Sequence, residues 1–271
     1  MPVTAIPTDT PRRARGRPLL PATGRVVVRG CLVAFGGFAV IWSTLTLPTF
    51  WRDEPLERIA RQVIAGDVFV GDGLATLLPA VEAIEQADRC IPEARHAAAV
   101  IRVRMTEDVV AAVEPARLDA SLAALRTSIR GALACSPADP FLWMVLFWVE
   151  NAVEGLKPEH FASLRMSYAL GPNEGWIALK RSRYALALYA VLPPDLAKRA
   201  STEFVGLINT GFVREAAAIF AASGWGDRAL LLPHLKELPL FRREAFARAV
   251  RDAGFDAEVP GVKRADPRPW N

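Results

Sequence analysis

Residues 132–148 read ALACSPADPFLWMVLFW, and this stretch decides how the rest of the chain folds. An alanine- and leucine-rich run ends there, Pro137 to Pro140 follow, and a new apolar run begins. Proline is tolerated in the first turn of a helix but not in its interior, so this order predicts a helix end, a tight turn and a helix start. Residues 168–176, YALGPNEGW, repeat the arrangement, with Pro172 placed 35 positions after Pro137. Such a repeat of paired helices is typical of an α-helical solenoid.

The spacing around Pro137 resembles the tetratricopeptide repeat (TPR). Ala132 stands five residues before the proline, Trp143 six residues after it, and Leu146 three residues further on. The TPR has a small residue, a tryptophan and a large residue in that register. The resemblance covers about residues 116–190. It implies an all-α, right-handed solenoid of antiparallel helix pairs and implies nothing about chemistry.

The second copy of the pattern departs from the repeat and carries a resemblance of its own. His160 takes a small-residue position ahead of Pro172, and Trp176 follows that proline by four residues rather than six. The stretch GPNEGWIALKR, residues 171–181, is similar to small membrane-anchored proteins that accompany envelope polysaccharide assembly in proteobacteria. This second resemblance implies a role in envelope polysaccharide assembly, and it implies no catalytic residue.

Helices are predicted along nearly the whole chain beyond residue 51. Alanine and leucine dominate there, and the strict apolar–polar alternation of strands is rare. Glycine and proline supply the breaks. The predicted helices cover residues 74–87, 92–113, 115 to the turn at Pro137, 193–209, 212–222, 228–238 and 241–253.

An uncharged run lies near the N-terminus. Residues 30–50, GCLVAFGGFAVIWSTLTLPTF, contain 21 positions without a charge. About 20 apolar residues span the hydrocarbon core of a bilayer, so we predict a transmembrane helix that contacts lipid through Gly30–Phe50. A cleaved signal peptide is the alternative, but such a peptide has a shorter apolar core and a small-residue cleavage site.

Charge sets the predicted orientation of this helix. Residues 1–29 contain six arginines and one aspartate, and basic flanks stay in the cytoplasm. We therefore predict a single-pass protein of the bacterial inner membrane, with its N-terminus in the cytoplasm. The predicted segments are a disordered basic tail (1–24), a transmembrane anchor (25–51), a periplasmic helical TPR-like domain (52–255) and a C-terminal tail (256–271).

The same charge balance excludes one class of partner. The chain carries +4 overall, and the N-terminal arginines account for more than that excess, which leaves about −1 for the rest. Nucleic-acid-binding domains carry a basic stripe on the folded domain itself, so we predict no nucleic-acid partner.

Cysteine usage fits an oxidising compartment. Cys31 lies in the predicted anchor, so Cys90 and Cys135 are the only pair beyond it. Disulfides persist in the periplasm, and a Cys90–Cys135 bond is one hypothesis. Two buried free thiols are the alternative. Neither cysteine belongs to a CxxC motif, which argues against a redox or zinc site.

The sequence presents no recognisable catalytic or metal-binding motif. The three histidines, at positions 96, 160 and 234, are far apart, and Gly71-Asp72-Gly73 has neither the lysine nor the preceding strand of a phosphate-binding loop. Glu82 and Glu85 fit a solvated helix face. We predict no catalytic residue, no cofactor, no metal and no enzymatic activity.

Four residues are the predicted partner-binding site. Trp148 and Asn151 fall partly off the face that carries Trp143, and Lys180 and Arg183 follow on a neighbouring predicted helix. Together with Arg181 they suggest an aromatic and basic groove for a partner protein or an acidic glycan. A packed core beside a solvated charged face is the alternative.

These observations favour a non-enzymatic scaffold on the outer face of the inner membrane. Its partner is expected to be a membrane or periplasmic protein of envelope polysaccharide biosynthesis or export. One alternative is a periplasmic carbohydrate-binding or carbohydrate-processing protein, which needs an exposed tryptophan or facing carboxylates. Another is an assembly factor that acts through small residues of its membrane helix, Gly30, Gly36 and Gly37.

Overall fold

The computed structural model describes residues 22–67, 69, 73–112 and 115–263, and in those residues it is helical with no strand. The predicted all-α class is therefore confirmed. The predicted disordered tail lies outside the described residues up to position 21. The Gly71-Asp72 pair and the end of the predicted C-terminal tail, from position 264 onward, lie outside them too.

The chain divides into two units, residues 1–54 and residues 55–271. Helix α1, Ala22–Ala65, begins in the first and ends in the second. Its segment Val26–Leu47 is 22 residues long, has a mean hydropathy of 1.9 and contains no buried residue. The prediction of one N-terminal helix long and apolar enough to cross a membrane is confirmed, and this segment begins four residues before the predicted Gly30.

In the described part of the second unit, ten α-helices follow α1, together with shorter 3₁₀ and π-helical turns. Their bounds are α2 Leu78–Gln86, α3 Pro92–Ala111, α4 Pro115–Cys135, α5 Pro140–Glu154, α6 Phe161–Leu170, α7 Gly175–Ala187, α8 Pro194–Thr210, α9 Val213–Ile219, α10 Arg228–Leu231 and α11 Leu240–Asp252. In the first half each helix packs against the next along the chain, α3 on α4, α4 on α5 and α5 on α6. This order is compatible with a helical repeat array.

Proline marks helix starts as the sequence predicts. Helices α3, α4, α5 and α8 each begin at a proline, whose missing N–H costs nothing in the first turn. Before α5, Oδ1 of Asp139 accepts hydrogen bonds from the backbone N–H groups of Phe141 at 3.0 Å and Leu142 at 3.1 Å. This cap is worth about 1 kcal/mol and fixes where α5 begins.

Three predicted helices differ from the structure. The helix predicted over 74–87 is a 3₁₀ turn, Ala75–Leu77, followed by α2, which begins at Leu78 and has Pro79 in its first turn. The predicted helix over 228–238 is the short α10 followed by a 3₁₀ segment, Leu232–Glu237. Pro233 has no N–H to donate, and its ring would clash with the carbonyl four residues earlier, so α-helix cannot continue through it. The helix predicted over 212–222 ends at Ile219 and passes into a π-helical turn, Phe220–Gly224.

Two apolar clusters form the interior of the second unit. Helices α3, α4 and α5 supply most of one cluster, with Ile101, Leu125 and Leu142 fully buried. The other lies among α6 to α11. Helix α7 joins them, because Ile177 belongs to the first cluster and Leu186 to the second.

A disulfide links Cys90, just before α3, to Cys135 at the end of α4, with the Cα atoms 5.5 Å apart. The two residues are 45 positions apart in sequence. Cys31 is a free, exposed thiol.

We expect Cys90→Ala to lower the free energy of unfolding, because the closed loop restricts the unfolded chain. The loop-entropy relation gives a loss of about 4 kcal/mol for a loop of this length. Urea unfolding of the full chain in detergent, followed by tryptophan fluorescence without reductant, measures it. Cys31→Ala is the control and should leave the urea midpoint of unfolding unchanged. Equal midpoints for the parent and Cys90→Ala would show that the bond does not form.

Candidate functional site

The structure places two of the four predicted partner-binding residues, Trp148 and Asn151, on α5, and the other two, Lys180 and Arg183, on α7. The ring of Trp148 packs against that of Tyr184, with centroids 6.2 Å apart. The Nδ2 of Asn151 donates to the carbonyl of Phe147 at 2.8 Å, and its Oδ1 accepts from Nδ1 of His160 at 2.9 Å. Asn151 therefore ties α5 to the chain that leads into α6.

The predicted basic cluster on α7 does not form one surface. Lys180 is half-buried and Arg183 is exposed, but Arg181 is fully buried. An α-helix turns by 100° per residue, so the side chain between two outward-facing ones can face the core. The idea of a single basic groove that includes Arg181 is therefore wrong.

A different site lies along α8. A cleft of about 810 Å³ follows one side of this helix, and we call it the α8 cleft. Its residues on α8 are Asp195, Lys198, Arg199, Thr202, Glu203, Gly206, Leu207 and Thr210, and across from them lie Tyr168, Pro172, Asn173, Gly175, Ala178 and Phe212. The α8 residues lie on one face of the helix, three or four positions apart, and extend over 15 residue steps from Asp195 to Thr210. At 1.5 Å rise per residue the stripe is about 22 Å long.

A buried ion pair joins the walls of this cleft. Arg181 on α7 contacts the carboxylate of Glu203 on α8, and the two side chains are 0% and 7% exposed. Arg181 Nη1 also donates to the carbonyl of Ser167 at 2.8 Å and to its Oγ at 3.0 Å. Its Nη2 donates to the carbonyl of Gly171 at 3.0 Å. One guanidinium thereby holds α6, the α6–α7 turn and α8 in a fixed arrangement.

Tyr168 completes the buried group. The guanidinium carbon of Arg181 lies 4.1 Å from the centroid of the tyrosine ring, in a cation–π arrangement. The hydroxyl of Tyr168 is buried and has no hydrogen-bond partner among the described residues. Burial raises the pKa of Tyr168 well above its usual value, and the charge of Glu203 adds to that shift. Burial also raises the pKa of Glu203, against the opposing effect of Arg181.

The exposed rim of the cleft carries uncompensated positive charge. The carboxylate of Asp195 accepts two hydrogen bonds from Arg165, at 2.7 and 3.1 Å, and these bonds lower its pKa. Glu203 is paired with Arg181. Lys198 and Arg199 are exposed and form no ion pair with any residue that the structure describes. Both acids of the cleft are thus neutralised, while both rim cations are free.

Local sequence explains why the walls come so close. A Cβ on Gly171 would fall 2.8 Å from the ring of Pro140, so only glycine lets the α6–α7 turn approach the start of α5. Gly211 has a φ of +108° and ends α8 in the left-handed conformation that glycine adopts most easily. The next residue, Phe212, then lies against Gly175, 3.4 Å from where a Cβ would be.

A second polar pair has a structural explanation. Nδ1 of His96 is hydrogen-bonded to Oδ2 of Asp139, the same aspartate whose other oxygen caps α5. The pair borders a cleft of about 300 Å³ together with Ser136. It fastens α3 to the start of α5. In the described part of the chain no group of three or more possible metal ligands occurs.

Comparison with known proteins leaves the chain without an assigned relative: no protein-family model, no curated protein and no solved structure matches it.

We expect Arg181→Met to lower the free energy of unfolding by about 3–5 kcal/mol, because it leaves the buried carboxylate of Glu203 without its cation. The double variant Arg181→Met/Glu203→Met removes both charges and should recover most of that loss. Urea unfolding of the two single variants and the double variant measures the coupling. Additive losses would show that the two side chains do not act as a pair.

Tyr168→Phe tests the unpaired hydroxyl. The hydroxyl of Tyr168 makes no hydrogen bond of normal geometry, and the nearby carboxylate of Glu203 is already held by Arg181, so the free energy of unfolding should stay the same or rise by about 1 kcal/mol. Tyr189→Phe is the matched control, since the hydroxyl of Tyr189 is hydrogen-bonded with Nε2 of His234 at 3.0 Å. That change should cost about 1 kcal/mol. Urea unfolding measures both changes. A larger loss of unfolding free energy for Tyr168→Phe than for Tyr189→Phe would show that the hydroxyl of Tyr168 makes a stabilising hydrogen bond.

Proposed function

We propose that this protein is a membrane-anchored, non-enzymatic scaffold that holds a partner protein in the α8 cleft. The observation that carries the proposal is the cleft itself. It is about 22 Å long, it has two free cations at its rim, and its walls are fixed by the buried Arg181–Glu203 pair. Long grooves with preformed walls suit partner segments better than they suit small substrates.

The architecture we propose for the second unit is a right-handed array of TPR-like helix pairs. The resemblance around Pro137 supports it, as does the packing of each of α3 to α6 on the next helix. The tryptophan in this pattern contacts the turn, because Nε1 of Trp143 donates to the carbonyl of Pro137 at 2.8 Å. Stacked helix pairs leave extended surfaces that commonly bind proteins.

The proposed location is the bacterial inner membrane, with the second unit in the periplasm. The arginine-rich N-terminus supports this orientation, and a disulfide between Cys90 and Cys135 fits an oxidising compartment. The similarity of residues 171–181 to polysaccharide-assembly proteins supports a role in envelope polysaccharide biosynthesis or export. The partner would be a polymerase, a chain-length regulator or an export component.

A periplasmic carbohydrate-binding protein is the second candidate. Two aromatic side chains favour it, since Trp176 is 37% exposed and Phe212, in the cleft, is 38% exposed. The ring of Trp176 also packs against Phe141, with centroids 5.3 Å apart, so part of its surface already serves the fold. For this reason we place the glycan second to the protein partner.

In membranes of the native host, a photoreactive residue at Thr202 should crosslink to one protein of polysaccharide assembly. Thr202 is exposed and lies in the α8 cleft. Val110, 47% exposed on α3, is the matched control position outside the cleft. Mass spectrometry of the adducts identifies the partner. Adducts to glycan alone would favour the second candidate, and equal adducts from both positions would contradict the scaffold.

A further inference from the structure

We infer that the α8 cleft binds an extended peptide segment of the partner that is acidic in one half and apolar in the other. The inference rests on the proposed function, because it specifies what the scaffold binds. Its basis is the distribution of charge and apolar surface along α8.

The N-terminal half of the cleft favours anions. Asp195 and Glu203 are the acids there, and each is already held by an arginine, Arg165 and Arg181 respectively. The cations that remain, Lys198 and Arg199, stand on consecutive positions of the exposed rim. A carboxylate placed beside them gains two attractions and meets no uncompensated acid of the cleft.

The C-terminal half has a different chemistry. Its residues on α8 are Gly206, Leu207 and Thr210, and Phe212 closes that end. None of the four is charged. No atom lies within 4 Å of where a Cβ of Gly206 would be, so this half of the cleft has room for a ligand side chain. Apolar ligand groups would bury surface against Phe212, which is 38% exposed, whereas Leu207 is already packed in the core.

The length of the cleft favours a chain over a small anion. At about 3.3 Å per residue, an extended peptide of six or seven residues matches the 22 Å stripe. A single carboxylate would occupy only the basic half. A uronic-acid oligosaccharide carries carboxylates along its whole length. Those that lie in the uncharged half of the cleft would lose water without gaining a cation from the protein. A peptide can change from acidic to apolar within a few residues.

The test is a selection from a random heptapeptide display library against the full chain in nanodiscs. We expect enriched sequences with Asp or Glu in one half and Leu, Ile or Phe in the other. A fluorescein-labelled copy of the most enriched peptide then gives Kd by anisotropy. Lys198→Glu/Arg199→Glu should raise that Kd about tenfold or more, since each exposed pair is worth up to about 1 kcal/mol and is reversed in sign.

Matched variants separate the cleft from general effects of charge and size. Lys236→Glu/Arg248→Glu changes the net charge equally at exposed positions outside the cleft, and should leave Kd unchanged. Gly206→Leu adds a side chain to the uncharged half at a position where a Cβ meets no atom within 4 Å, and it replaces a poor helix former, so the fold should persist while Kd rises at least tenfold. Asn209→Leu adds a leucine to α8 outside the cleft and should have no effect.

Three results would overturn the inference: no enrichment, enrichment of basic peptides, or a Kd indifferent to both the charge reversal and Gly206→Leu. Direct binding of a fluorescein-labelled oligogalacturonate that Lys198→Glu/Arg199→Glu weakens, with no peptide enriched, would assign the cleft to an acidic glycan instead. The crosslink from position 202 decides the scaffold separately. A protein adduct there with no peptide enrichment would keep the proposed function and remove only this description of its ligand.

Discussion

A guanidinium with no exposed surface determines the arrangement of the helices around α8. Moving such a cation out of water costs several kcal/mol, and only nearby acceptors offset the cost. Arg181 finds them on three different segments: Ser167 at the end of α6, Gly171 in the α6–α7 turn and Glu203 on α8. Small displacements of any one segment would leave part of the charge unsatisfied. The pair therefore specifies one arrangement of these helices more than it adds to their stability.

The turn that starts α5 is connected to this buried charge. Oγ of Ser167 donates to the carbonyl of Pro140 at 2.8 Å, and the same hydroxyl accepts from Arg181. Gly171, whose carbonyl also accepts from Arg181, packs directly on the ring of Pro140. The proline-containing turn thus supports the wall of the α8 cleft. Substitution of Pro140 or Gly171 would therefore shift the wall of the α8 cleft, although neither residue has a polar side chain.

Helix starts were accessible from the sequence, and the cleft was not. A proline before an apolar run predicts a helix start from local sequence alone, because proline fits the first turn and not the interior. Helices α3, α4, α5 and α8 each begin at such a proline. The burial of Arg181 has no local signal, because Lys180 and Arg183 on the same helix are not buried and the partner carboxylate is 22 positions away. Only the packing of α7 between two apolar clusters decides which of these three cations enters the core. The π-helical turn at Phe220–Gly224 likewise has no sequence pattern that we recognise.

The two exposed cations of the α8 cleft contribute little binding free energy, and the proposed membrane anchor would offset that low affinity. Lys198 and Arg199 are exposed, and pairs with such residues contribute about 0.2–1 kcal/mol each. Two of them give selectivity for acidic segments but little affinity. Confinement to a membrane raises the effective concentration of a partner in the same membrane, to roughly millimolar for a short tether. Under the proposed function, a weak site would be occupied at that concentration and would release its partner quickly. Under the same proposal, the uncharged half of the cleft would discriminate among acidic segments, because burial against the exposed part of Phe212 depends on the side chains that follow the carboxylates.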